Sequence, residues 1–286
     1  MRGIRIAAAV AFVSLFALAT APAEAETKSW KAAKAVAPDN PAIVAQEDDA
    51  KEGIDAVKAG CGIDVLTVVT DVTVVLADPD VDDDDGIIVI GLNGVNEAKA
   101  VACLKKIAKK EKKVLTAKKV GKLVELSIKG ERDKIYMAWL AKDVVAFAVE
   151  PDEKARLAKW IGGKGITGDV AATLTKVDTA TAAWVAIAKQ TELGPGANMK
   201  SAYGTVKLEA GNIVGEVNVV TGSAAEAKKA ADEAKKELAK GASQLPPEIA
   251  KLVKAIAITT AGDVVTVKAS IAETEVMSLV GLLMQM

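Results

Sequence analysis

Apolar runs that come in pairs around short turn sequences are the feature that most constrains how this chain can fold. Two such runs flank Ala210-Gly211-Asn212, and two more flank Ala261-Gly262-Asp263. Glycine beside Asn or Asp favours a tight chain reversal between two strands. The chain therefore predicts antiparallel β-hairpins and not the parallel strands of a doubly wound fold.

Amphipathic helices alternate with these strand pairs. Residues 97–110, capped by Asn96, carry apolar side chains on one face and lysines on the other, and residues 224–240 show a narrow alanine stripe. We therefore predict an α+β fold of two similar halves, 42–161 and 166–286. In each half we expect an antiparallel sheet with helices packed on one face.

The amino terminus has the pattern of a bacterial export signal over residues 1–25. Two arginines precede an apolar run that is too short for a membrane span, and Ala23-Glu24-Ala25 fits a small-x-small cleavage site. We expect a periplasmic or secreted protein with no transmembrane segment in the mature chain. Residues 26–41 read as a flexible lead-in, and the apolar spacing in residues 42–59 predicts a helix.

Cys61 and Cys103 are the only two cysteines. In an exported protein, two cysteines without a third favour one disulfide bond. The alternative is a pair of buried free thiols. A zinc site is disfavoured, because the chain has no histidine and only two thiolates to offer.

Composition excludes several classes of function. The formal net charge of −1 lacks the basic excess of a nucleic-acid-binding protein. Without histidine, the commonest general base and the usual serine and cysteine nucleophile pairs are missing. We therefore expect a protein that is not an enzyme, has no cofactor and does not bind nucleic acid.

The aspartate-rich stretch at 78–85 raises the question of a calcium loop. Neither frame of an EF-hand fits: one puts Val81 where an aspartate is needed, and the other puts Asp85 where the glycine belongs. Asp85-Gly86 is instead a strong turn signal between two strands. Weak cation binding by Asp80, Asp82 and Asp84 stays as the alternative.

Two further surfaces are candidates for binding. The apolar residues of the carboxyl-terminal helix are candidates for lining a ligand groove: Val276, Leu279, Val280 and Leu283. The lysines on the outer face of residues 97–110 are candidates for a basic patch: Lys105, Lys106, Lys109 and Lys110. For both surfaces the simpler interpretation is structural, as a core-packing helix and as a solvated helix face.

The Cys-Gly-Ile-Asp sequence at 61–64, the following strand pair and the helix carrying Cys103 resemble secreted, signal-bearing proteins of unknown function from myxobacterial-type genomes. The resemblance covers residues 40–161. It implies an exported two-part α+β protein with a Cys61–Cys103 bridge, and it implies no activity.

Two functions fit these observations. The first is an exported, non-enzymatic protein that binds an apolar small molecule or a partner chain in the cell envelope. The alternative is a structural or envelope-assembly factor that acts through its charged surface. The identity of the partner is open.

Overall fold

The structure, a computed structural model, describes residues 27–36, 43–47, 61, 68–76, 86–132, 134–148, 154–194, 197–243 and 247–275. These residues form two compact units, which divide between residues 172 and 173. Each unit contains antiparallel strands and helices, so the predicted α+β fold is confirmed. The predicted export signal lies outside the described residues.

The first unit is built on an antiparallel sheet. Its elements are α1 (Lys28–Val36), β1 (Ile43–Glu47), β2 (Val69–Leu76), β3 (Gly86–Leu92), α2 (Glu97–Lys110), β4 (Leu115–Val120), β5 (Leu123–Ile128), β6 (Lys134–Ala141), β7 (Val144–Ala148), α3 (Lys154–Ile161) and α4 (Gly168–Leu174), which runs across the boundary. The strand order is β1-β2-β3-β7-β6-β5-β4, which makes β4 the last described strand at one side of the sheet.

Helix α1 forms because its first turn is tied to β2. The backbone N–H of Ser29 donates to Asp71 Oδ1 at 2.6 Å, and the hydroxyls of Ser29 and Thr73 lie 2.8 Å apart. Trp30 is buried. The prediction of a flexible lead-in is therefore wrong for residues 28–36. Thr27 Oγ1 accepts a hydrogen bond from the backbone N–H of Trp30 at 3.4 Å, and a carboxylate 42 residues away satisfies a further N–H of the helix N-terminus.

Residues 43–47 form strand β1 and not the start of the predicted helix. The strand pairs with β2 from Ile43 opposite Leu76 to Glu47 opposite Val72. β-Branched residues such as Ile43 favour a strand when a partner strand is available. The later part of the predicted helix lies outside the described residues.

Helix α2 begins and ends where its sequence predicts. Asn96 Oδ1 accepts a hydrogen bond from the backbone N–H of Lys99 at 3.1 Å, and the inner side of the helix packs on a cluster that includes Leu92, Val124 and Met137. Side chains alternate between the two faces of a strand, so Leu92 under α2 lies on the opposite face from Gly91 and its partner Asp71, which binds α1. In this unit helices therefore cover both faces of the sheet, where one covered face was expected.

The predicted disulfide bond between Cys61 and Cys103 is confirmed. The two Cα atoms lie 5.2 Å apart, and the bridge spans 42 residues. Cys103 is buried on the inner side of α2. The bridge therefore ties the chain ahead of β2 to the helix that follows β3, and the alternative of two free thiols is excluded.

The second unit is also built from antiparallel strands and helices. Its elements are β8 (Ala183–Ile187), β9 (Thr191–Gly194), β10 (Ala197–Glu209), β11 (Asn212–Thr221), α5 (Ala224–Ala242), α6 (Pro247–Lys254), β12 (Ala257–Ala261) and β13 (Val264–Ala272). The strand order is β12-β13-β11-β10-β8, and β9 pairs with β10. Both hairpins predicted from the Ala-Gly-Asn and Ala-Gly-Asp turns are present.

Helix α5 covers this sheet through the predicted alanine stripe. Ala227 and Ala231 are fully buried and pack with Val219 and Val265. Ser223 caps the helix, since its Oγ accepts a hydrogen bond from the backbone N–H of Glu226 at 3.2 Å. Small side chains let the helix approach the strands closely while its charged side faces solvent.

Candidate functional site

An open groove of about 550 Å³ lies in the first unit, between the first half of α2 and the ends of three strands. We call it the α2 groove. Its floor is formed by Val101, Ala117, Val124, Trp139 and Ala141, and its rim by Asn96, Glu97, Ala98, Lys105, Lys118, Lys119 and Lys142. The groove thus combines an apolar floor with a rim that is mostly basic.

The register of the sheet brings these residues together from separate strands. Lys119 near the end of β4 lies opposite Val124 near the start of β5, and Val124 lies opposite Met137 on β6. Trp139 and Ala141 follow at the end of β6. Antiparallel neighbours place the end of one strand beside the start of the next, so all these residues meet at one end of the sheet.

Trp139 is the largest side chain of the groove floor. It lies opposite Val145, whereas Ala141 lies opposite Val144, so Leu140 is the extra residue of a β-bulge beside the groove. The indole Nε1 of Trp139 is buried and has no acceptor among the described residues. Leaving a buried N–H unpaired costs about 1–3 kcal/mol, so this group lowers the stability of the fold by an amount of that order.

The charges around the α2 groove are predominantly positive. Lys105 and Lys142 are exposed at its rim, and Lys119 lies 3.6 Å from Glu97 in an ion pair between β4 and α2. The N-terminus of α2 adds a partial positive charge at the same end. Lys118 does not add to this charge in the same way. It lies opposite Glu125 in the β4–β5 register, and its charge helps to lower the pKa of that carboxyl group on the other face of the sheet.

The opposite face holds a compact polar cluster around Glu125. Its Oε1 accepts a hydrogen bond from Lys134 Nζ at 2.9 Å, and its Oε2 accepts one from Tyr136 OH at 3.2 Å. The Lys134 hydrogen bond is the main cause that lowers the pKa of Glu125, and burial raises the pKa of Tyr136. Two neighbours on β6 thus favour the ionised carboxylate, and their hydrogen bonds link β5 to β6 in a structural role.

The residue after Lys142 is an acid that is engaged elsewhere. Lys28 Nζ donates to Asp143 Oδ2 at 2.5 Å and to the Leu92 carbonyl oxygen at 3.2 Å. The Lys28 hydrogen bond lowers the pKa of Asp143. Asp143 therefore anchors α1, and its charge is compensated by Lys28.

A second depression, of about 430 Å³, lies along α5. Its described lining comes from that single helix and is mainly the oppositely charged residues Lys228, Lys229, Asp232 and Glu233. Charged neighbours one turn apart on a helix stabilise the helix itself. The α2 groove, with walls from four elements and an apolar floor, is the better candidate site.

The residues predicted from the sequence fall into three groups. Lys105 lines the α2 groove, whereas Lys106, Lys109 and Lys110 lie on α2 outside its lining. Two sets lie outside the described residues: Asp80, Asp82 and Asp84, and Val276, Leu279, Val280 and Leu283. Where the structure describes the chain, it holds no cluster of acidic or cysteine side chains placed for a metal ion, and no helix long and apolar enough to cross a membrane.

The sequence patterns predicted no strand directly after the helix at 97–110, so the groove was not expected. In the structure residues 115–120 form β4, with Leu115 and Ala117 packed on the cluster under α2. The alternation of Leu115, Ala117 and Lys119 with more polar neighbours was the available signal. Trp139 packs against the same cluster and is only partly buried.

Comparisons with known proteins give no family. No protein-family model matches the chain, and no curated protein sequence does. Among solved structures the chain is similar to TP0453: crystal form I has a TM-score of 0.46 at 9% identity and covers 86% of this chain and 95% of that one. Crystal form III has a TM-score of 0.48 at 9% identity and covers 90% and 99%. At this level the likeness carries no conclusion about ligands or activity.

Proposed function

We propose that this chain is an exported, non-enzymatic binding protein that holds a small molecule with an apolar body in the α2 groove. The observation that supports this function best is the groove floor, where Val101, Val124 and Trp139 offer partly exposed or cleft-facing apolar surface. Water is displaced from such a surface at a gain of about 25 cal/mol per Å². Burial of this surface would therefore contribute to the binding free energy of an apolar molecule in the groove.

The size and chemistry of the groove support a binder of small molecules. A volume of about 550 Å³ falls within the roughly 300–1,000 Å³ range of ligand sites in proteins. Its polar groups are lysines, one amide and a glutamate that is already paired with Lys119. These groups can orient a ligand, and their pairing gives no reason to assign proton transfer to them.

The proposal is tested by filling the groove. Ala117→Phe places a ring on the floor, where Ala117 is partly buried on the last described strand of the sheet. We expect the variant to weaken binding of the uncharged dye phenylnaphthylamine by about tenfold, because the ring occupies the apolar surface that the dye would cover. The measurement is dye fluorescence in an equilibrium titration of wild type and variant.

The matched control is Ala239→Phe, the same exchange at an exposed position of α5, a helix that does not line the α2 groove. It adds equal apolar surface to the protein without filling the groove. Binding of the dye should therefore stay within a factor of two of wild type. Equal loss in both variants, or no saturable binding to wild type, would refute the proposed function.

A further inference from the structure

Building on the proposed function, we infer that the ligand of the α2 groove is a single-chain amphiphile with an acidic head group. Its alkyl chain would lie on the floor around Val101, Ala117 and Trp139. Its carboxylate or phosphate would lie among the rim lysines. The inference concerns the charge and shape of the ligand. If it is wrong, the proposed function, binding of an apolar molecule in the groove, can still be correct.

The rim charges select an anion over a neutral ligand. Lys105, Lys119 and Lys142 surround the groove, and the single acid of its lining, Glu97, is paired with Lys119. Asp143, which follows Lys142 in the chain, is bound by Lys28 on α1. The groove therefore has a positive surplus, to which the N-terminus of α2 adds.

The groove shape selects one chain over a larger partner. It is bounded by one helix and the ends of three strands, and its floor of two alanines, two valines and one indole leaves a shallow trough. A volume of about 550 Å³ suits a single small ligand and is too small for a folded partner. An apolar trough next to a cationic rim is complementary to an alkyl chain that ends in an anion.

The test compares dodecanoate with dodecanol, which have the same chain length and differ in charge. Each competes with phenylnaphthylamine for the wild-type protein at low ionic strength, below its aggregation concentration. We expect dodecanoate to bind about tenfold more tightly, because each exposed ion pair contributes up to about a fivefold gain in affinity. Added salt should reduce that preference by screening the lysines.

A pair of variants locates the head group. Lys105→Gln/Lys142→Gln removes two rim charges, and Lys106→Gln/Lys109→Gln removes two charges from α2 outside the groove lining. The first should raise the dodecanoate Kd by about fivefold relative to the dye Kd of the same variant, and the second by less than about twofold. Circular dichroism establishes that both variants are folded.

The outcomes separate the two proposals. Equal affinities for dodecanoate and dodecanol, or equal effects of the two double substitutions on the dodecanoate Kd, would overturn the inference of an acidic head group. The proposed function would still be supported if the dye bound in the groove. Failure of both the dye and dodecanoate to bind would overturn both. A third outcome is binding to anionic phosphatidylglycerol vesicles without dodecanoate binding. If both double substitutions weakened this vesicle binding equally, the lysines would form a membrane-facing basic surface, and the inference would also be overturned.

Discussion

Gly91→Ala is expected to destabilise the first unit by about 3 kcal/mol, the combined effect of overpacking a filled core and leaving buried donors unpaired. A Cβ atom at this position would lie 2.0 Å from Asp71 Oδ2 and 2.8 Å from Thr70 Oγ1. Asp71 cannot retreat freely, because its carboxylate is buried and accepts hydrogen bonds from Ser29 N and Thr70 Oγ1. Moving it would release the cap of α1. Chemical denaturation followed by tryptophan fluorescence measures the loss.

The matched control is Gly241→Ala on α5, where an added Cβ would meet nothing within 4 Å. Alanine is a better helix residue than glycine, so this variant should be unchanged or more stable by about 0.5 kcal/mol. If Gly91→Ala were as stable as wild type, the packing of Asp71 against Gly91 and the docking of α1 would both be in doubt.

Removal of the disulfide bond is expected to cost about 4 kcal/mol, the chain-entropy value for a closed loop of this length. The bridge spans 42 residues, and Cys103 is buried in the face of α2 that packs on the sheet. Cys61→Ala/Cys103→Ala removes both thiols, so no buried unpaired sulfhydryl remains. The unfolding free energy of this variant should be close to that of the reduced wild-type protein. The only expected difference is the small cost of the cavity left by the two lost sulfur atoms.

Reduction supplies the control for the disulfide prediction. A reducing agent should destabilise wild type and leave the double alanine variant unchanged. A double variant within 1 kcal/mol of oxidised wild type would mean that Cys61 and α2 are already held together by packing, and that the bridge adds little constraint.

Local patterns predicted the regular elements well. Helix α2 could be placed to the residue, because an Asn cap, a first-turn glutamate and an apolar stripe all act within its own sequence. Strand β3 was equally clear, since Gly86–Leu92 is apolar throughout and bounded by turn residues. Helix α5 followed from its alanine stripe, and the structure shows that Ser223 caps it.

Long-range contacts decided the features that local patterns missed. On β2 the apolar residues Val72 and Val74 are only partly buried, whereas Asp71 and Thr73 on the other face are more deeply buried. Their burial makes sense only once Ser29 of α1 is placed against them. Likewise β1 is a strand because β2 lies beside it, and this partner cannot be inferred from residues 43–47 alone.

The candidate site was harder to predict than the fold, because its parts come from four elements. Lys105 could be singled out as one of a row of lysines, but nothing local distinguishes it from Lys106. The distinction arises when β4 lies beside β5 and places Lys119 and Ala117 opposite α2. A site of this kind follows from strand register, which single-sequence patterns specify only weakly.

The most direct test of the central claim is the indole region of a proton–nitrogen correlation spectrum, recorded with and without saturating phenylnaphthylamine. The chain has four tryptophans, and Trp139→Phe assigns the signal that reports the α2 groove. Ring currents of a dye bound on the groove floor should shift the Trp139 signal and leave those of Trp30, Trp160 and Trp184 in place. An unshifted Trp139 signal, with the dye bound or with another indole responding, would contradict the account.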